Sequence, residues 1–239
     1  MSKKRIIILC VVAAFLIAIA TAVIYNYDLI IAVKDGLFET KENLDIKKEE
    51  SAKKEQEALK EAGVENVRPL TEEEKKEFTE GNITEEEVIN IITGKTTVEE
   101  VKQNKNNGTG QTKKPETSAN ENKGNKTNEK IAELVGKIYV IEARFTSELS
   151  ALESWALSQF EHLPTVEEKR AKKKELMSYG FPKLSALEKE CDTEVANVLS
   201  ELEKVLKNAG QSTDLVTQID NAYHEKKQLT KSYYINEYM

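Results

Sequence analysis

The segment EKIAELVGKIYVIEARFTSELSALESWALSQFEHLP, residues 129–164, decides the fold of this chain. Its apolar residues recur mostly at steps of three or four, the period that places side chains on one face of an α-helix. This stripe comprises Ile131, Leu134, Ile138, Ile141, Phe145, Leu149, Leu152, Trp155, Phe160 and Leu163. So long an amphipathic helix needs other helices to cover its apolar face, and the sequence therefore predicts an all-α fold.

Two further helices are predicted after Pro164. Thr165-Val166-Glu167-Glu168 is a capping box that begins the second helix after a very short turn, so the first two helices should be antiparallel. Gly180-Phe181-Pro182 should break or kink this second helix, since proline lacks the N–H that a helix interior requires. Asn208-Ala209-Gly210 ends it, and a last helix follows. Residues 129–239 are thus predicted to form an antiparallel three-helix bundle whose middle helix is broken near Gly180–Pro182.

The bundle geometry also predicts a candidate interaction surface. At 1.5 Å rise per residue, the end of the last helix returns to the level at which the first helix ends. Six aromatic residues should therefore gather at one end of the bundle: Trp155, Phe160, Tyr179, Phe181, Tyr233 and Tyr234. Such a cluster is either a binding groove or ordinary core that requires no ligand.

Upstream of the bundle, residues 103–128 consist mainly of Asn, Lys, Gly, Thr and Gln and have no apolar period. This composition cannot bury enough surface to offset the entropy of ordering, so we expect a disordered linker that tethers the bundle flexibly.

Residues 69–102 contain a 13-residue repeat. Thr71, Thr84 and Thr97 each precede a glutamate by three positions, which is the capping-box pattern, and Gly81 and Gly94 suit left-handed helix ends. The repeat predicts short capped helices, which form either a small docking module or a folded spacer.

Residues 28–68 are dense in Glu and Lys and poor in apolar residues. Charge pairs spaced by four residues support such a helix, so this segment is predicted to be a solvated helical stalk that Gly63 and Pro69 close.

The N-terminus carries a membrane signal. Residues 1–5 include Lys3-Lys4-Arg5, and an apolar run from Ile6 to Tyr25 follows, with no charge before Asp28. About 20 residues span roughly 30 Å as a helix, which matches the hydrocarbon thickness of a bilayer. Residues 6–27 are therefore predicted to be a transmembrane anchor, with the basic tail in the cytoplasm and the rest outside.

Two alternatives for this segment remain open. A secretory signal peptide could be cleaved near Ala22, because Ala20-Thr21-Ala22 offers small residues at the cut. A lipoprotein anchor at Cys10 fits less well, since bulky Ile8 and Leu9 precede the thiol.

The residue content excludes several classes of function. A net charge of −7, with lysines interleaved with glutamates, argues against nucleic acid as a partner. His162 and His224 lie on different helices without metal-ligand spacing, and phosphate-binding loops and nucleophile motifs are absent from the sequence. Two cysteines, Cys10 and Cys191, do not form a disulfide framework. We expect no catalytic residues, no metal and no cofactor.

In layout, the segment from Lys130 to Tyr234 resembles single-span, membrane-anchored helical proteins of low-GC Gram-positive bacteria. The resemblance rests on no catalytic motif and implies no activity. The sequence therefore predicts a non-enzymatic, membrane-tethered interaction or scaffold protein with a protein or cell-wall partner. The alternative is an extracytoplasmic sensory or regulatory subunit of a membrane complex.

Overall fold

The computed structural model describes residues 32, 34–35, 38–106, 123–159 and 165–238. Seven α-helices have both ends within these residues, residues 32, 34, 35 and 38 are also helical, and the predicted all-α class is confirmed. We number them α1 to α7: Lys41–Glu61, Glu72–Thr79, Glu85–Ile92, Val98–Asn106, Lys123–Ser158, Val166–Asn208 and Asp214–Tyr238. The chain divides into two compact units, one comprising residues 1–54 and 224–239 and the other residues 55–223.

The larger unit is organised around α5. The side chains of Ile131, Leu134, Val135 and Ile138 are completely buried. Helices α2, α3 and α6 all pack against this helix. The part of the predicted apolar stripe from Ile131 to Leu149 is therefore buried in the core of the unit.

Helices α5 and α6 form an antiparallel hairpin. Lys130 lies 3.3 Å from Glu201, Arg144 lies 2.6 Å from Glu194, and the Trp155 and Tyr179 rings are 4.6 Å apart. Residue numbers rise along α5 as their partners' numbers fall along α6, which is the antiparallel arrangement that the short turn predicted.

The predicted capping boxes are confirmed at Thr71, Thr84, Thr97 and Thr165. In each, the threonine hydroxyl accepts from one backbone N–H, and the glutamate three residues on accepts from another. The helix ends at Gly81 and Gly94 have φ values of 73° and 72°, as the left-handed termini require.

The short helices are held to α5 by close backbone approach. A Cβ at Gly136 of α5 would lie 3.4 Å from Ile89 Cγ2 and 3.5 Å from Ile92 Cδ1 of α3. Lys95 Nζ, just beyond α3, lies 2.8 Å from Glu133 Oε1 of α5. The repeat is thus part of the same packed body as α5.

This packing corrects the prediction of a flexibly tethered bundle. Residues 103–106 belong to α4 and residues 123–128 belong to α5, so both ends of the predicted linker are helical. Lys105 Nζ donates to the Asn82 carbonyl at 2.7 Å, which fixes α4 beside the turn before α3. Residues 107–122 lie outside the described residues. Tertiary contacts stabilise the two ends of the predicted linker although their own composition favours the unfolded state. Disorder of the remaining residues stays a prediction.

The predicted break in the middle helix is also wrong, because α6 continues through Gly180 and Pro182 without interruption. Proline 182 removes the N–H that would donate to the Ser178 carbonyl, but both residues are exposed, so water can solvate that carbonyl. Gly180 lies against Leu152 of α5. Packing of α6 on α5 before and after the proline outweighs the local cost.

The predicted stalk is a helix, α1, but it is not solvated on all sides. Leu44, Ser51, Glu55, Ala58 and Leu59 are buried and share one face of the helix. Ser51 and Glu55 belong to this buried face although they are polar. The pattern of apolar residues in the sequence therefore did not predict a buried face here.

In the smaller unit, the end of α7 pairs with the start of α1. Asn236 Nδ2 donates to the Glu39 carbonyl at 2.8 Å. The ring of Tyr233 lies 5.2 Å from Lys41 Nζ and 5.0 Å from Lys48 Nζ, distances at which cations interact with aromatic faces. The two segments therefore run antiparallel.

The predicted anchor at residues 6–27 lies outside the described residues. Among the helices that are described, none has the length and apolarity that crossing a bilayer requires.

Substitution of Pro182 tests the continuous helix. Pro182→Ala restores a backbone donor inside α6, so the free energy of unfolding should rise by about 2 kcal/mol. Thermal unfolding of the detergent-solubilised chain, followed by far-ultraviolet circular dichroism, measures the change. Pro69→Ala, outside any helix, is the control and should not stabilise. An unchanged or reduced stability of Pro182→Ala would contradict the continuity of α6.

Substitution of Gly136 tests the close approach of α3 to α5. Alanine fits within ordinary van der Waals distance of Ile89 and gains helix propensity, so Gly136→Ala should stabilise by about 0.5–1 kcal/mol. Leucine overfills the contact, and Gly136→Leu should destabilise by about 1–3 kcal/mol. The same unfolding measurement applies, and equal effects of the two variants would show that α3 does not lie there.

Candidate interaction surface

The candidate site that sequence reasoning placed on aromatic residues is found in part at the α5–α6 hairpin. Trp155 comes from the last turn of α5 and Tyr179 from the early part of α6, and their rings are inclined at 41°. The antiparallel pairing of the helices brings them together because the turn between them is short. Their contact is of the kind that aromatic pairs favour.

This aromatic pair is exposed to solvent. Trp155, Leu157 and Tyr179 are 36%, 45% and 46% exposed, respectively. Ordinary core aromatic residues bury most of their surface, whereas neighbouring exposed ones mark contact surfaces. Trp155 and Tyr179 are therefore not fully buried core residues, and a binding role for them stays a prediction.

A shallow cavity of about 270 Å³ adjoins the pair. Its apolar lining includes Leu149 and Leu152 from α5 and Leu184 and Leu187 from α6. Two charged residues, Glu148 and Lys183, also line it. An apolar lining with charged residues suits an amphipathic partner.

Lys183 completes the surface. Its Nζ lies 4.4 Å from the centroid of the Tyr179 ring, four residues earlier on α6. Sequence reasoning did not include this lysine in the site, although residues four apart on a helix are neighbours. We refer to Trp155, Tyr179 and Lys183 together as the hairpin surface.

The other predicted aromatic residues are placed differently. Tyr233 and Tyr234 are adjacent on α7, with ring centroids 6.2 Å apart, and belong to the smaller unit. Phe160 lies outside the described residues, and of Phe181 only its position within α6 is described. Of the six predicted residues, the described part of the chain brings together Trp155 with Tyr179 and, separately, Tyr233 with Tyr234.

A second group of polar residues lies buried in the larger unit and was not predicted. Gln56 Nε2 donates to the Tyr139 hydroxyl at 2.8 Å, and the Tyr223 hydroxyl donates to Asp192 Oδ1 at 2.9 Å. A tyrosine within an apolar stripe needs a hydrogen-bond partner for its hydroxyl. The positions of Tyr139 and Tyr223 in apolar stripes could therefore have predicted these hydrogen bonds.

These tyrosines are chemically unreactive. Burial, together with the nearby Glu55 and Glu142 carboxyl groups, raises the pKa of Tyr139 far above its ordinary value. Burial and the Asp192 carboxylate raise the pKa of Tyr223 in the same direction. Both hydroxyls therefore stay protonated at physiological pH and serve as hydrogen-bonding groups of the core.

Arg144 and Cys191 lie beside each other in the same interior. The guanidinium of Arg144 bridges two helices, lying 2.6 Å from Glu194 of α6 and 3.9 Å from Glu85 of α3. Cys191 is completely buried, and burial raises the pKa of its thiol despite the neighbouring guanidinium. An enclosed, protonated thiol is a packing residue rather than a nucleophile.

The described residues contain no group of three or more His, Cys, Asp or Glu side chains arranged to hold a metal ion. Comparison of the chain with protein-family models, with curated proteins and with solved structures found no match.

The reactivity of Cys191 tests its assignment as an enclosed packing residue. In a Cys10→Ala chain, where Cys191 is the remaining thiol, a thiol reagent should react about a hundredfold more slowly than in denaturant, because the helix must open first. Ser200→Cys, exposed on the same helix in a chain without native cysteines, is the control and should react rapidly when folded. Rapid labelling of Cys191 in the folded chain would identify it as an accessible thiol.

Proposed function

We propose that this chain is a non-enzymatic, membrane-tethered interaction protein that presents its helical body outside the cytoplasmic membrane. The observation that carries the proposal is the apolar run from Ile6 to Tyr25, preceded by Lys3-Lys4-Arg5. A run of this length suits a spanning helix, and a basic flank is retained in the cytoplasm.

The described part supports an interaction role. Its helices carry many charged residues on their outer faces, and its larger unit has a well-buried core around α5. We propose that α5, α6 and the part of α7 that belongs to the larger unit, residues 214–223, form the presented three-helix bundle; the Tyr223–Asp192 hydrogen bond between α7 and α6 supports this arrangement. The hairpin surface is the part of this body best suited to a partner.

The chemistry of the interior supports a non-enzymatic role. Its buried tyrosines remain protonated, and its thiol is enclosed. Neither can act as a general base or nucleophile in that state. We therefore propose that binding, and not turnover, is the task of the exposed body.

Thiol labelling in intact cells tests the topology. Ser200→Cys, in a chain with Cys10→Ala and Cys191→Ala, should react with a membrane-impermeant maleimide when expressed in a Gram-positive host. The matched control is Ser2→Cys in the same background, which should react only after the cells are lysed.

The two variants differ only in the side of the membrane on which their thiol is expected. The proposed orientation would be contradicted if Ser2→Cys were labelled before lysis, or if Ser200→Cys were labelled only after lysis. Recovery of the labelled chain in the culture medium would show cleavage near Ala22 instead of anchoring.

A further inference from the structure

We propose that the hairpin surface docks onto anionic phospholipid headgroups of the membrane that holds the chain. Residues 169–183, KRAKKKELMSYGFPK, contain six Lys or Arg residues and one Glu, a net charge of +5, in a chain whose net charge is −7. Cationic charge is therefore concentrated in the segment of this helix that contains Tyr179. This inference rests on the proposed tether, which keeps the surface beside a membrane.

Helical spacing places cationic and aromatic groups on one face. Lys172, Tyr179 and Lys183 are separated by seven and four residues on α6, which returns them to nearly the same side of the helix. Lys172 lies 2.8 Å from Glu175, and Lys183 lies over the Tyr179 ring. Trp155 of α5 lies beside Tyr179.

This combination matches the interface of a bilayer. Trp and Tyr side chains are favoured at the level of the headgroups, where an apolar ring meets water. Lysines on the same face are attracted to anionic lipids and can extend their charged ends toward phosphates. The hairpin surface offers both groups within one contact area.

The apolar part favours lipid over a soluble polyanion. Trp155 is exposed, and Leu149 and Leu152 line the adjoining cavity. A cell-wall polymer of phosphate groups could pair with the lysines but offers no apolar phase for these residues. A lipid interface satisfies the cationic and the apolar groups together.

Trp155 allows a direct test, because it is the single tryptophan of the chain. The full chain is reconstituted into vesicles of phosphatidylcholine alone, or of phosphatidylcholine mixed with phosphatidylglycerol. Lipids brominated on their acyl chains act as quenchers. We expect a blue shift of Trp155 emission and quenching in the anionic vesicles, with much weaker effects in the zwitterionic ones. High salt should reverse the shift, because it screens the attraction.

Charge variants test the role of the lysines. Each lysine near an anionic surface changes the docking equilibrium by about fivefold, so Lys172→Gln with Lys183→Gln should reduce docking by about 25-fold. Lys204→Gln with Lys207→Gln removes the same charge at the other end of α6 and should leave docking unchanged. Trp155 emission should be equal for the two double variants in phosphatidylcholine vesicles, which checks that the substitutions leave the hairpin surface intact.

The outcomes separate the inference from the proposed tether. A chain that fails to remain with the vesicles after alkaline extraction contradicts the tether. A chain that remains with them, but whose Trp155 emission is the same in both lipid mixtures, contradicts lipid docking alone. If soluble poly(glycerol phosphate) shifts Trp155 emission in zwitterionic vesicles as strongly as phosphatidylglycerol does, the partner is a wall polymer and the inference is overturned.

Discussion

Burial of the apolar face of α5 is the constraint on which the larger unit depends. Four of its aliphatic side chains, Ile131, Leu134, Val135 and Ile138, are completely buried, and each such burial contributes about 1.5–3 kcal/mol relative to exposure. One partner helix cannot cover this face, so α6 packs along its length while α2 and α3 pack elsewhere on it. Gly136 permits this arrangement, because a side chain as large as leucine would hold α3 away from α5.

Features that depend on neighbouring residues could be predicted from the sequence. A capping box needs a Thr and a Glu three positions apart, and all four predicted boxes form because both hydrogen bonds are local. The antiparallel hairpin followed from the brevity of its turn. The contact between Trp155 and Tyr179 then followed from helical rise, so this half of the candidate site was accessible to sequence reasoning.

Features that depend on distant residues could not be predicted in this way. Helix α6 continues through Pro182 because its packing on α5 outweighs the free-energy cost of a proline in a helix interior. The sequence around Pro182 indicates only that cost. Burial of Ser51 and Glu55 on α1 is invisible to a pattern of apolar residues. Tyr233 illustrates the same limit, because its place beside Lys41 and Lys48 depends on a helix nearly 200 residues earlier in the chain.

The proposed tether and the hairpin surface have complementary energetic roles. A surface with a few exposed aromatic groups and lysines binds weakly, since Lys172 is already paired and Lys183 already contacts a ring. Attachment to the bilayer makes docking an intramolecular event, in which the effective concentration of the surface is set by the chain. Weak contacts can then be populated and still reversed by ionic strength or by a competing partner. A strongly apolar surface would lack this reversibility and would promote self-association.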